Sequence, residues 1–155
     1  MFETGSTAPS MVLEDTSGQD VRIPGRDAVL LYFMRSTSCP ICNRHVRDLI
    51  GSAVGVRVLV VVPEDRARAA AWKAERGIPF PVLTGRHDSP HEMIGLSRKV
   101  FGSMQQSGSV LIDAHGVIRH AHGATLPTNS YDKKGITAAI AALIRGPGTS
   151  PVPAG

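Results

Sequence analysis

The apolar run Val29-Leu30-Leu31-Tyr32-Phe33 is followed, after a short polar stretch, by Cys39-Pro40-Ile41-Cys42 and then by an amphipathic segment. No other part of the chain constrains its fold as strongly, because it predicts a buried strand, a short loop and a helix with a thiol at the junction. The helix runs from about Pro40 to Ser52, its apolar stripe made by Cys42, Val46, Leu49, Ile50 and Ala53, and Gly55 ends it. Cys39 then faces the unpaired N–H groups and positive dipole end of that helix, which favour a thiolate over a thiol. Cys42 falls on the same face of the first turn, close enough to close a disulfide and release whatever Cys39 has attacked. Arg35, Arg44 and Arg47 flank the pair and add positive charge in favour of the thiolate.

The 155 residues, 42% hydrophobic and 19% charged, are one domain's worth and can bury a core without metal or disulfide bracing. Residues 1–145 are read as that domain, and 146–155, almost all small residues and prolines, as a disordered tail. No apolar stretch approaches the roughly 18 residues that span a bilayer, and the start of the chain lacks the features of a signal peptide. The expected compartment is the cytoplasm, where two cysteines at this spacing are catalytic or metal-binding rather than a structural bridge. A net charge of +4 raises nucleic acid as a partner, but dispersed basic residues and only 5% aromatics argue against it.

Met11-Val12-Leu13 and Val21-Arg22-Ile23, separated by a Ser17-Gly18 turn, predict two short edge strands, and Ala28 to Met34 the main strand. Val56 to Val62 predicts a central parallel strand closed by Pro63. Glu64 to Arg76 predicts a helix with a small-residue face of Ala67, Ala70, Ala71 and Ala74, acids in its first turn and Gly77 as its stop. Pro79 to Leu83 reads as a short strand, and Ser89 opens a helix to about Val100. Ser109 to Asp113 and Val117 to His122 form a hairpin around an Asp-x-x-Gly turn, with His120 and His122 on one solvated face. A helix from about Lys133 to Arg145, carrying Ile136, Ile140, Leu143 and Ile144, closes the domain.

This order, βαβα then a hairpin and a closing helix with CxxC after the first main strand, resembles the thioredoxin fold. The chain is similar to the peroxiredoxin-like branch of the AhpC/TSA superfamily (alkyl hydroperoxide reductase and thiol-specific antioxidant). Three segments carry the resemblance: Gly5-Ser6-Thr7-Ala8-Pro9 with Leu13 and Asp15; Phe33-x-Arg35-x-x-x-Cys39-Pro40-x-Cys42; and Gln105 to Asp113 with Gly116. It implies an α/β protein, a three-layer α/β/α sandwich with a mixed central sheet. It also implies Cys39 as the peroxidatic cysteine, Cys42 as the resolving one and Ser36 at the place of the hydroxyl residue that bonds the peroxide. Typical members have a proline where this chain has Tyr32. Their catalytic arginine falls here at about Ser107, where thioredoxins keep a cis-proline, and Arg35 would supply the cation. Thr37, Ser38, Pro40 and Ser107 are the expected substrate- or partner-contacting residues.

The resemblance implies peroxide reduction supported by an external dithiol reductant, thioredoxin-like or a low-molecular-weight thiol, with no cofactor, in a monomer or homodimer. The alternative is a thiol-disulfide oxidoreductase, in which Cys39 attacks a partner's disulfide and Cys42 resolves the mixed disulfide. A metal module is a third reading, since His45 completes Cys-x-x-Cys-x-x-His and His87 and His91 are four apart. His45 is otherwise an exposed helix residue or a local modulator of the thiol, and Trp72 a packing residue.

Overall fold

The computed structural model describes residues 3–52, 55–86, 88–96, 105–124 and 131–145. Its strands are β1 (Met11–Glu14), β2 (Asp20–Ile23), β3 (Val29–Phe33), β4 (Arg57–Val61), β5 (Val82–Gly85), β6 (Ser107–Ile112) and β7 (Ile118–Ala124). The described residues also form four helices: α1 (Pro40–Ser52), α2 (Arg66–Arg76), α3 (Pro90–Met93) and, after the last strand, α4 (Lys133–Arg145). The strands make one mixed sheet in the order β2-β1-β5-β4-β3-β6-β7. β3 is parallel to β4, and β4 to β5, while β6 and β7 run antiparallel beside β3.

Every residue of β3 is buried, as its uninterrupted apolar run requires of a strand covered on both faces. Alternation sends Leu30, Tyr32 and Met34 into one core with Cys42, Val46 and Leu49 of α1, Trp72 of α2 and Ile136 and Ile140 of α4. Leu31 and Phe33 enter the opposite core with Met11, Leu13, Ile23, Ile94 and Leu96. Each large apolar side chain so buried contributes about 1.5–3 kcal/mol by leaving water. The α/β sandwich expected from the sequence is therefore present, with α1, α2 and α4 against one face of the sheet.

Several local expectations are corrected. β1 is not an edge strand, because it pairs with β5 as well as β2. Helix α2 buries Ala69 and Trp72 rather than the alanine face of Ala67, Ala70, Ala71 and Ala74, so the bulk of one indole outweighs four methyls. Its first turn holds no acid; Asp65 is instead the N-cap, accepting from the Arg68 N–H at 2.9 Å, and Gly77 at φ +61° ends the helix as expected. Ile50 is 45% exposed, outside the buried stripe of α1. α3 ends at Met93 instead of near Val100, and residues 97–104 lie outside the described residues. So do Ala53, His87 and the tail 146–155. In the hairpin, Asp113 Oδ1 accepts from the N–H groups of His115 and Val117, and Gly116 takes φ +79°. His120 is half-buried beside the start of α4 rather than on a solvated face. Among the described residues no helix is long and apolar enough to cross a membrane.

Candidate active site

The chain leaves the buried end of β3 at Met34, crosses residues 35–39 and enters α1 at Pro40. Both cysteines are free thiols, Cys39 3% exposed and Cys42 fully buried. Cys39 stands before the first helical turn and its sulfur accepts the backbone N–H of Cys42 at 3.3 Å. One otherwise unpaired N–H of the helix start is thereby aimed at the sulfur. Burial first, then the hydrogen bond and charge of the Cys39 sulfur, push Cys42 up to about 11, against the pull of the Arg35 backbone N–H and the Tyr32 hydroxyl. Cys42 is thus held as a thiol at neutral pH.

The loop before Cys39 is tied from three directions. Glu64, just past β4, accepts both the N–H (2.9 Å) and the hydroxyl (2.8 Å) of Thr37 at one oxygen, and Arg68 Nε donates to the same hydroxyl at 3.3 Å. The Asn43 side-chain amide donates to the carbonyls of Thr37 (3.0 Å) and Cys39 (2.8 Å). Its own oxygen accepts the indole N–H of Trp72 at 2.8 Å, so Trp72 packs and also holds the amide in place. Thr37 and Asn43 are buried, and a buried polar network of this kind stays ordered because each unmade bond costs about 1–3 kcal/mol.

The remaining expected site residues surround this frame. Ser36 is half-buried and its hydroxyl lies 3.1 Å from that of the exposed Ser38; Pro40 is exposed at the helix start. Arg35 is half-buried between β3 and these serines. Ser107 is fully buried at the start of β6, one residue beyond the Phe33–Gly108 pair and on the Tyr32 face of the sheet, and its hydroxyl has no hydrogen-bond partner among the described residues.

The metal reading is not brought together. His45 is half-buried rather than exposed, and its Nδ1 is 2.7 Å from the Tyr32 hydroxyl. His91 is buried on the other side of β3, with Nε2 2.8 Å from the Met34 carbonyl and its ring edge-on to Phe33. Among the described residues no three metal-ligating side chains converge, and His87 lies outside them.

Sequence reasoning did not find Asn43, Glu64, Tyr131 or Asp48. Tyr131 stacks on His45 at 4.7 Å between ring centroids and donates its hydroxyl to Asp48 at 2.7 Å. Asn43 interrupts no pattern and Glu64 reads as a helix-start acid, so neither carries a signal in the sequence beyond proximity to the cysteines.

The CPxC dithiol at the start of the helix that follows an interior strand of a mixed sheet, on a thioredoxin-like fold, is that of a thiol-based oxidoreductase, as the family and the relatives of the chain indicate. The chain belongs to the AhpC/TSA family, whose sequence profile matches residues 4–121. A provisionally named peroxiredoxin of Mycobacterium tuberculosis is 28% identical over 123 residues, 74% of this chain and 73% of its own length. Among solved structures, a peroxiredoxin-like protein from Aquifex aeolicus superposes with a TM-score of 0.77 at 15% identity, covering 92% of this chain and 88% of that one. The peroxidoxin BcpB of Mycobacterium tuberculosis superposes with a TM-score of 0.74 at 19% identity, covering 92% and 99%.

Proposed function

We propose that this chain reduces peroxides through Cys39, with Cys42 resolving. The Cys39 thiolate attacks one peroxide oxygen; the S–O bond forms, the O–O bond breaks, and the departing alkoxide or hydroxide takes a proton. Cys42 then attacks the Cys39 sulfenic acid, forming the disulfide and releasing water. A dithiol reductant, thioredoxin-like or a low-molecular-weight thiol pair, accepts the oxidation and restores both thiols. Such reductants belong to the cytoplasm, the compartment we assign.

The observation that carries this reading is the position of Cys39 in an AhpC/TSA chain: at the helix start, accepting the Cys42 N–H, and only 3% exposed. A sulfur so enclosed favours a small oxidant, since attack on a protein disulfide requires a bulky partner to approach in line with it. Ser36 and Arg35 are the side chains we assign to the peroxide, with Thr37, Ser38, Pro40 and Ser107 shaping the approach. Peroxide consumption by the reduced protein, supplied with a thioredoxin system, tests the proposal. Turnover of hydrogen peroxide or an alkyl hydroperoxide well above that of Cys39→Ser is expected. Equal rates, or faster oxidation by a small disulfide than by peroxide, would favour disulfide exchange instead.

A further inference from the structure

Cys42 must lose its proton to attack the Cys39 sulfenic acid, yet it is fully buried with no side-chain carboxylate among the groups that set its ionisation. What it has is Tyr32. This tyrosine, fully buried on β3, packs in the same core as Cys42, its hydroxyl favours the Cys42 thiolate, and it lies 2.7 Å from His45 Nδ1 one turn further along α1. His45 is half-buried, so its ring leads from the buried hydroxyl towards the surface. Its plane is fixed by stacking on Tyr131, 4.7 Å away with 24° between the rings, while Asp48 holds the Tyr131 hydroxyl at 2.7 Å.

We propose that Tyr32 and His45 form the proton path of the buried resolving thiol, Tyr32 passing the Cys42 proton to His45 Nδ1. The inference rests on the dithiol cycle proposed above. As the Cys42–Cys39 sulfur bond forms and the S–O bond of the sulfenic acid breaks, Tyr32 accepts the thiol proton and gives its own to the imidazole. The leaving hydroxide takes a proton from solvent, and His45 returns one to solvent, so the step releases one water.

For this the imidazole must be neutral. Burial first, then Arg44 on the same helix, hold it below the usual 6.5, with Asp48 acting in the opposite direction. Among the described residues the Tyr32 and Tyr131 rings face it from other elements, and Lys133 is bonded at 3.2 Å to Asp48, its neighbour on α1. Tyr32 occupies the position where typical family members carry a proline, so the path is a property of this chain's own residues.

The test is a single turnover of the reduced full-length protein with one equivalent of hydrogen peroxide, from about pH 5 to about pH 9. Sulfenic acid is captured with dimedone and the disulfide is quantified by mass spectrometry. In the wild type, disulfide formation should fall on the acid side as His45 protonates and be flat above. In Tyr32→Phe and His45→Gln the sulfenic acid should still form but persist about a hundredfold longer. Resolution should then lose its acid limb and rise steadily with pH as the thiol ionises unaided. An altered fold does not reproduce that change of profile, and His45→Gln, at a half-buried position, carries the test if Tyr32→Phe does not fold. Resolution at the wild-type rate and profile in the variants would overturn the relay. If peroxide leaves wild-type Cys39 unoxidised, the peroxidase reading fails instead. The same variants are then oxidised with a small disulfide, since Cys42 must shed the same proton whatever group leaves Cys39; an unchanged profile there overturns the relay.

Discussion

Thr37 gives both its backbone N–H and its hydroxyl to a single oxygen of Glu64, at 2.9 and 2.8 Å. The strand β4 that delivers Glu64 thereby fixes the loop that delivers Cys39, and Thr37 is only 2% exposed, so no water replaces the carboxylate easily. Glu64→Ala should lower the unfolding free energy by about 1–3 kcal/mol and slow oxidation of Cys39, while Glu64→Gln, which keeps an acceptor oxygen, should lose less. Urea titration and stopped-flow oxidation measure the two effects. An unchanged midpoint in Glu64→Ala would show that the loop is held elsewhere.

Trp72 is the single tryptophan, and its indole N–H holds Asn43, whose amide grips the carbonyls of Thr37 and Cys39. Oxidation of Cys39 should therefore change the intrinsic fluorescence, and Cys39→Ser should abolish the change. Trp72→Phe leaves the Asn43 oxygen buried without its donor and should cost about 1–3 kcal/mol. A fluorescence trace that responds to peroxide equally in Cys39→Ser would separate the indole from the site.

The two thiols should differ sharply towards iodoacetamide. With Cys42 pushed up to about 11, only about one molecule in a thousand carries its thiolate at about pH 8. Cys42→Ser is expected to alkylate like the wild type, and Cys39→Ser to be nearly inert below about pH 9. Burial, the largest cause of the shift, survives the loss of Cys39. Rapid labelling of Cys39→Ser would contradict the assignment of Cys42 as the protonated partner.

Asp48 ties α1 to the entry of α4, accepting from the Tyr131 hydroxyl at 2.7 Å and from Lys133 at 3.2 Å. The Tyr131 bond, more than the charge of Lys133, lowers its carboxyl below 3.8, although burial opposes this. A carboxylate whose folded value is depressed contributes stability above its unfolded value and loses it as pH falls through the folded one. The stability difference between wild type and Tyr131→Phe should thus be full above about pH 5 and shrink in acid. Denaturant titrations at several pH values read it directly; a difference that grows in acid would reverse the sign argued here.

How far the chain could be read in advance differs from element to element. Helix α1 and strands β3 and β4 were legible because their patterns are local: an unbroken β-branched or leucine run, an apolar stripe, a proline or glycine at the end. Helix α2 was legible as a helix but not in its rotation, since four alanines and one tryptophan offer competing faces and only the packing against the sheet decides between them. β1 could not be recognised as an interior strand, because pairing with β5 joins segments about 70 residues apart, beyond the reach of any local pattern.

The sequence by itself determined the dithiol: two cysteines in one helical turn after a buried strand, an arrangement set by a helix's repeat and needing nothing distant. Only the tertiary structure decided what surrounds each sulfur. Glu64, Trp72, Tyr32 and Tyr131 come from four separate segments, and their contacts with the loop, with Asn43 and with His45 exist because three helices pack on one face of the sheet. A hydrogen bond depends on distances of a few tenths of an ångström, which chain order does not encode until the core has closed.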